Sequence, residues 1–235
     1  MKMLVAAILW ATVSSAWSEP CTNAHDAVSD LSGALGASNS AWFGLQADAF
    51  ESNGLSAEVF GKALQAHQTA WQRGDSQKTV LSVIDFSLPS DKKRLWVIDL
   101  ERKTVLFHEY VAHGKNTGER YARDFSNRNQ SLQSSVGLMK TGKTYFGKHG
   151  YSLRLEGLER GFNDRAEARA IVMHAADYVT QEFIDEHGRL GRSWGCPALD
   201  PEVNEEVINT IKGGSLLFGY FPDENWLNRS RYLNP

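Results

Sequence analysis

The chain has 235 residues, 42% of them hydrophobic, and a formal net charge of −3 at pH 7. That is enough apolar side chain for a substantial core, and the mild acidity gives no electrostatic case for nucleic acid or anionic lipid as a partner. With only 2 cysteines, disulfides are not what holds the fold together.

The opening MKMLVAAILWATVSSAWSEP joins Lys2, an apolar run from Leu4 to Val13, and the small-x-small pattern Ala16, Trp17, Ser18. It reads as a secretory signal peptide over residues 1–18, cut near Ser18. The apolar run falls short of the ~20 residues a membrane span needs, and no later segment approaches that length. The expectation is an exported protein, periplasmic or secreted. An oxidising compartment also leaves open a Cys21 to Cys196 disulfide, which would remove Cys196 from any chemistry.

Residues 19–78 are expected to form an N-terminal helical region. After the small-residue stretch SDLSGALGASNS, the segment LSAEVFGKALQAHQTAWQRGD offers Ser56 as N-cap and an apolar stripe at Val59, Phe60, Ala63, Leu64, His67 and Trp71, ending near Gly74. His67 on that stripe reads as a packed histidine. From Thr79 the texture changes to short β-rich runs: VLSVIDFSL, RLWVIDL, TVLFHEYVAHG, SVGLMKTG, SLRLEGL, RAIVMHAA and LLFGYF. The first three are separated by PSDKK and ERK, which read as tight connections between antiparallel strands. One late helix opens at Asp200 and Pro201 and stops at Gly213. Residues 79–235 are therefore expected to form a mainly β domain with flanking helices, of the α+β class.

Within it, GRSWGCPALD sets Cys196 between Gly195 and Pro197. Glycine permits positive φ and close backbone approach, proline fixes φ, and together they hold a rigid turn with the thiol at its apex. The helix starting at Asp200 adds a positive potential that favours thiolate. A free thiol of pKa ~8.5 is only about 3% ionised at neutral pH, so a nucleophilic cysteine calls for a base. Of the 7 histidines, His174 stands out at the end of the β-branched run RAIVMH, held by a sheet yet facing a loop. Lowering the thiol pKa to ~6 would gain about 30-fold in thiolate and lose roughly 13-fold in nucleophilicity, a net factor near two. Most of the acceleration must come instead from donors aimed at a tetrahedral oxyanion, worth ~10² to 10³ each. The main-chain amides of Gly195 and Cys196 are candidates, and so is the Tyr145 hydroxyl. His113 and His149 are further loop histidines placed to face the same cleft, although glycine-flanked turns explain them without function. Zinc would want paired ligand spacings that the chain lacks, so no metal is expected.

His174 on a strand, Ser193-Trp194-Gly195-Cys196, and the preceding SSVGLMKTG and YFGKHGYSLRLEGL together resemble the L,D-transpeptidase catalytic domain, the YkuD-like family, in its divergent murein branch. The resemblance spans Thr79 to Phe221. It implies a YkuD-like fold in which Cys196 attacks a peptidoglycan stem peptide and releases D-alanine, with His174 as base, oriented by the Ala175 carbonyl. The thioester then passes to an amine of a second stem, giving a crosslink, or to water, giving an L,D-carboxypeptidase. Donor and acceptor stem peptides are the implied partners, carbapenems the implied inhibitors, and no cofactor is implied. Arg154, Asn163, Arg169 and Arg192 become candidates for stem-peptide carboxylates, with Tyr145 and His149 beside them. Trp194 departs from the family pattern, which has histidine there; it either walls the substrate channel or packs under the turn. A cell-wall-binding module with a dead site is the remaining alternative.

Overall fold

The computed structural model describes residues 54–235; the leader expected at 1–18 and Cys21 lie outside the described residues. Ser56 sits in extended conformation and its hydroxyl accepts a hydrogen bond from Val59 N–H at 3.2 Å, which opens helix α1, Ala57–Gln72. Val59, Phe60, Ala63, Ala66 and Ala70 are buried along one face, and Gly74 at φ +75° turns the chain away. His67 is buried with Nε2 2.8 Å from Lys78 O, a structural contact.

Eight strands follow: β1 (Val80–Asp85), β2 (Leu95–Asp99), β3 (Thr104–Glu109), β4 (Gly137–Gly147), β5 (Gly150–Gly157), β6 (Val172–Ala175), β7 (Ala198–Leu199) and β8 (Leu216–Tyr220). They form one sheet in the order β3-β2-β1-β8-β4-β5-β6-β7. The neighbours β1 with β2, and β2 with β3, are antiparallel, as the short connections predict. Two pairs are parallel, β1 with β8 and β6 with β7. Helices α2 (Gln181–His187), α3 (Pro201–Ile211) and α4 (Glu224–Arg229) complete the chain. Asp200 caps α3 by accepting from Glu202 N–H, and Pro201 opens it.

The central strands read as continuous apolar runs because both faces of the sheet are covered. On β2, Trp96 and Ile98 point into one core with α1, Phe218, Trp226 and Tyr232. Leu95 and Val97 point into the other, with Met139, Leu153 and Met173 and the α3 residues Val207, Ile208 and Ile211. Across the boundary expected at residue 79, α1 packs into the same core as the strands. The C-terminal segment is tied in by Glu159, whose carboxylate accepts from Leu138 N–H at 2.7 Å and Trp226 Nε1 at 3.1 Å.

Candidate active site

β6 lies between β5 and β7, pairing His174 with Ser152 on one side and with Ala198 on the other. The imidazole is therefore held by sheet on both flanks, and the turn that carries Cys196 runs into β7, alongside it. The segment after β3 backs the turn: Ala112 and Gly114 bridge to Ala198 and Ser193, and Ser193 N–H donates to His113 O at 3.0 Å.

The turn needs its glycine. Gly195 has φ +125°, and a Cβ there would sit 2.7 Å from Gln133 O. Ser193 closes the turn from within: its Oγ donates to Cys196 O at 2.6 Å and accepts from Gly195 N–H at 3.0 Å. The Gly195 amide is thus already committed, so its expected use as an oxyanion donor gives way to a role in shaping the turn. The Cys196 N–H makes no hydrogen bond among the described residues, so of the two amides it is the one left to offer. A second brace comes from Ser134, whose Oγ donates to Gly195 O at 3.2 Å and accepts from Gly114 N–H at 3.0 Å; its own N–H donates to Thr117 Oγ1 at 2.7 Å.

Cys196 is a half-buried free thiol. Its Sγ accepts from Val172 N–H at 3.5 Å and donates to Ala170 O at 3.7 Å. Burial pushes the thiol pKa up, against the downward pull of the Val172 amide, Arg169 and Lys148. The expected thiolate-favouring effect of the helix start is outweighed, and the sulfur rests protonated. His174 Nδ1 lies 2.8 Å from Ala175 O, so Nδ1 donates and Nε2 carries the lone pair. Burial lowers the imidazole pKa; the Ala175 carbonyl opposes this, and His149 and Lys148 add to it. His174 is accordingly neutral at pH 7 and ready to accept a proton. Thiol and imidazole share the cleft without a hydrogen bond between them among the described residues.

That cleft, about 460 Å³, is lined by both groups together with Tyr145, His149, Arg169, Tyr178, Arg192, Ser193 and Trp194. His149 stacks on His174 with ring centroids 4.3 Å apart. Trp194 is 70% exposed and stands at the cleft wall, so packing under the turn is not its role. Arg169 faces the cleft, but its guanidinium donates to Ser126 O, Ser135 Oγ, Ser131 Oγ and Gln133 O, which pins the loop before β4. Arg192 is paired with Glu119 at 2.6 Å. Arg154 lies outside the cleft lining, its guanidinium 4.8 Å from the centroid of the Tyr145 ring.

Asn163 requires a correction. It is fully buried, its amide donates to Val136 O and Leu138 O, and its Oδ1 accepts from Glu159 N–H. With its polar atoms used in the core, it cannot meet a ligand. His113 is likewise buried outside the cleft, with Nδ1 accepting from Arg94 at 2.7 Å. Sequence reasoning missed Ser134, Thr117, Tyr178 and Lys148. The first two arrive through the long β3 to β4 connection and carry no local signal; Lys148, beside His149 in the β4–β5 hairpin, was within reach of it.

Among the described residues no three His, Cys, Asp or Glu side chains converge as metal ligands, and no helix is long and apolar enough to cross a membrane. A family model described as the L,D-transpeptidase catalytic domain matches residues 51–220, which takes in α1. No curated protein matches the chain. Similar solved structures include an L,D-transpeptidase from Mycobacterium smegmatis, 13% identical, covering 61% of this chain and 59% of that one, with a TM-score of 0.38. The helical cell shape determining protein Pgp2 from Campylobacter jejuni is 12% identical, covering 69% of this chain and 57% of that one, with a TM-score of 0.42. L,D-transpeptidase 3 from Mycobacterium tuberculosis, in complex with a faropenem-derived adduct, is 15% identical, covering 61% and 60%, with a TM-score of 0.36. The chain spans about six-tenths of the length of these proteins.

Proposed function

Because the chain belongs to the L,D-transpeptidase catalytic-domain family, we propose that it is a cysteine-dependent L,D-transpeptidase acting on peptidoglycan stem peptides, with Cys196 as nucleophile and His174 as base. The observation that carries the reading is the pairing of a free thiol at a glycine-shaped turn with a neutral histidine whose Nδ1 is held by a main-chain carbonyl, both lining one cleft.

The chemistry follows from the resting protonation states. The Cys196 proton passes to His174 Nε2 as sulfur attacks the donor carbonyl, so no thiolate need accumulate beforehand. The resulting oxyanion has the Cys196 N–H as a main-chain donor, with the Tyr145 hydroxyl on the same cleft; each such donor is worth ~10² to 10³ in rate. Collapse breaks the peptide bond, the leaving D-alanine amine takes the proton from His174, and a thioester remains on Cys196. An acceptor amine then attacks the thioester, gives its proton to His174, and Cys196 leaves as a thiol once reprotonated. Water in place of the amine would complete a carboxypeptidase cycle by the same steps.

Export to the periplasm or cell exterior is part of the proposal and rests on the leader at residues 1–18. So is acylation of Cys196 by carbapenems, whose strained carbonyl suits the same attack. The test is incubation of the purified protein with muropeptides and mass analysis of the products. Crosslinked dimers support transfer, and shortened monomers support hydrolysis. Muropeptides left unconverted by wild type and Cys196→Ala alike would mean a wall-binding module with no thiol chemistry.

A further inference from the structure

The cleft has an uneven charge. Lys148, His149, Arg169, His174 and Arg192 line it, and among the described residues no aspartate or glutamate does, although the chain as a whole carries −3. Most of that cationic potential is already engaged. Arg169 is spread over two carbonyls and two hydroxyls of the loop before β4. Arg192 is neutralised by Glu119 at 2.6 Å. The two histidines are held neutral by lowered pKa values, with burial as the first cause in each.

Lys148 is different. It sits at the tip of the β4–β5 hairpin, and its ammonium has neither a hydrogen bond nor an ion pair among the described residues. It rests 5.0 Å from the centroid of the Trp194 ring, and that ring is itself 70% exposed. A cation over an aromatic face is held in place while its three N–H donors stay available. It lines the same cleft as Cys196 and His174, so an anion bound to it would share that cleft with the reacting atoms. The hairpin tip is fastened to the cleft a second time by the stack of His149 on His174, which limits how far Lys148 can wander.

We propose that Lys148, steadied on the face of Trp194, is the anion receptor of the cleft and selects acyl donors that bear a free carboxylate near the carbonyl under attack. This rests on the transpeptidase reading for the donor's identity, but the anion preference itself is a property of the cleft and can be measured without it. It also gives the departure at Trp194 a purpose: an imidazole there would repel or compete with the ammonium, whereas the indole face supports it.

The probes are bromoacetyl-alanine, with its free carboxylate, and bromoacetyl-alaninamide, its neutral counterpart. Alkylation of Cys196 by each forms the S–C bond, breaks the C–Br bond to expel bromide and releases the thiol proton to buffer, and intact mass spectrometry at pH 7 gives the two rates. Any general change in thiol reactivity cancels in their ratio. The carboxylate-to-amide ratio should fall about tenfold in Lys148→Met, the scale of one partly desolvated charge pair. It should be largely kept in Lys148→Arg and fall about threefold in Trp194→Ala, where the ammonium loses its support. An unchanged ratio in Lys148→Met overturns the proposal. Stem peptides ending in carboxylate or carboxamide then test the donor separately. If neither acylates the wild-type protein, the transpeptidase reading fails while the probe ratio still decides the role of Lys148.

Discussion

Cys196 and His174 rest as a neutral thiol and a neutral imidazole because burial acts oppositely on the two, raising the thiol and lowering the histidine. In the proposed mechanism proton transfer and attack are then coupled, and the pH dependence follows from the base. With His174 as the proposed base, activity requires it unprotonated; its pKa is depressed, so the acid limb of kcat/KM should have its midpoint below 6.5, and a midpoint above 7 would contradict the proposal. Lys148→Met should move that limb upward, since Lys148 is one of the groups holding the pKa down. The turn makes a second demand at this scale. Ser193→Ala strips the Gly195 N–H and the Cys196 carbonyl of their shared partner, and an unsatisfied buried group costs about 1–3 kcal/mol. Denaturant melts should show that loss, along with reduced activity from a less rigid turn. Cys196 and His174 were legible in the sequence because glycine, proline and a β-branched strand end mark them locally. Which amide remains for an oxyanion was not legible, because it depends on where the Ser193 hydroxyl points.

The elements were read well where their apolar period is long and poorly where it is short. The stripe of α1 and the cap of α3 are local signals, and the structure places both helices as their caps and stripes predict. The two-residue β7 and the seven-residue α2 are too short to carry periodicity. The parallel pairing of β1 with β8 joins segments more than a hundred residues apart and leaves no local mark. Nor does any local pattern say that α1 shares the sheet's core; the composition shift at Thr79 points the other way. Removing the helix would expose the face of β1 and β8 on which Val59, Phe60 and Ala63 pack. A chain begun at residue 79 should therefore fail to melt cooperatively, whereas one begun at residue 51 should retain a sharp transition. Within the helix, Phe60→Ala should cost about 3–5 kcal/mol, the range for emptying a buried aromatic site, read from the shift in urea midpoint.

The molecule as a whole is built around buried polar groups as well as apolar ones. Arg94 is fully buried, with its pKa lowered to about 9 by desolvation, and it donates to Val111 O, Leu88 O and His113 Nδ1. Burial and that guanidinium together lower the His113 pKa to about 3. The folded state thus binds fewer protons than the unfolded chain between pH 3 and 6.5, so the contribution is complete above 6.5 and is lost as pH falls. The slope is about 1.4 kcal/mol per pH unit for one such group. Glu159 and Asp85, whose pKa values are raised by burial, act with the opposite sign above their ordinary values. Wild type should lose stability on acidification from pH 6 to 4 more steeply than His113→Gln; equal slopes would remove His113 from the account. The central claim, a thioester on Cys196, is open to a single measurement on the intact protein. Incubation with a stem tetrapeptide ending in D-alanine should add the mass of the tetrapeptide less D-alanine, localise to the peptide carrying Cys196, and vanish in Cys196→Ala. An adduct that persists in Cys196→Ala, or turnover there at the wild-type rate, would contradict it.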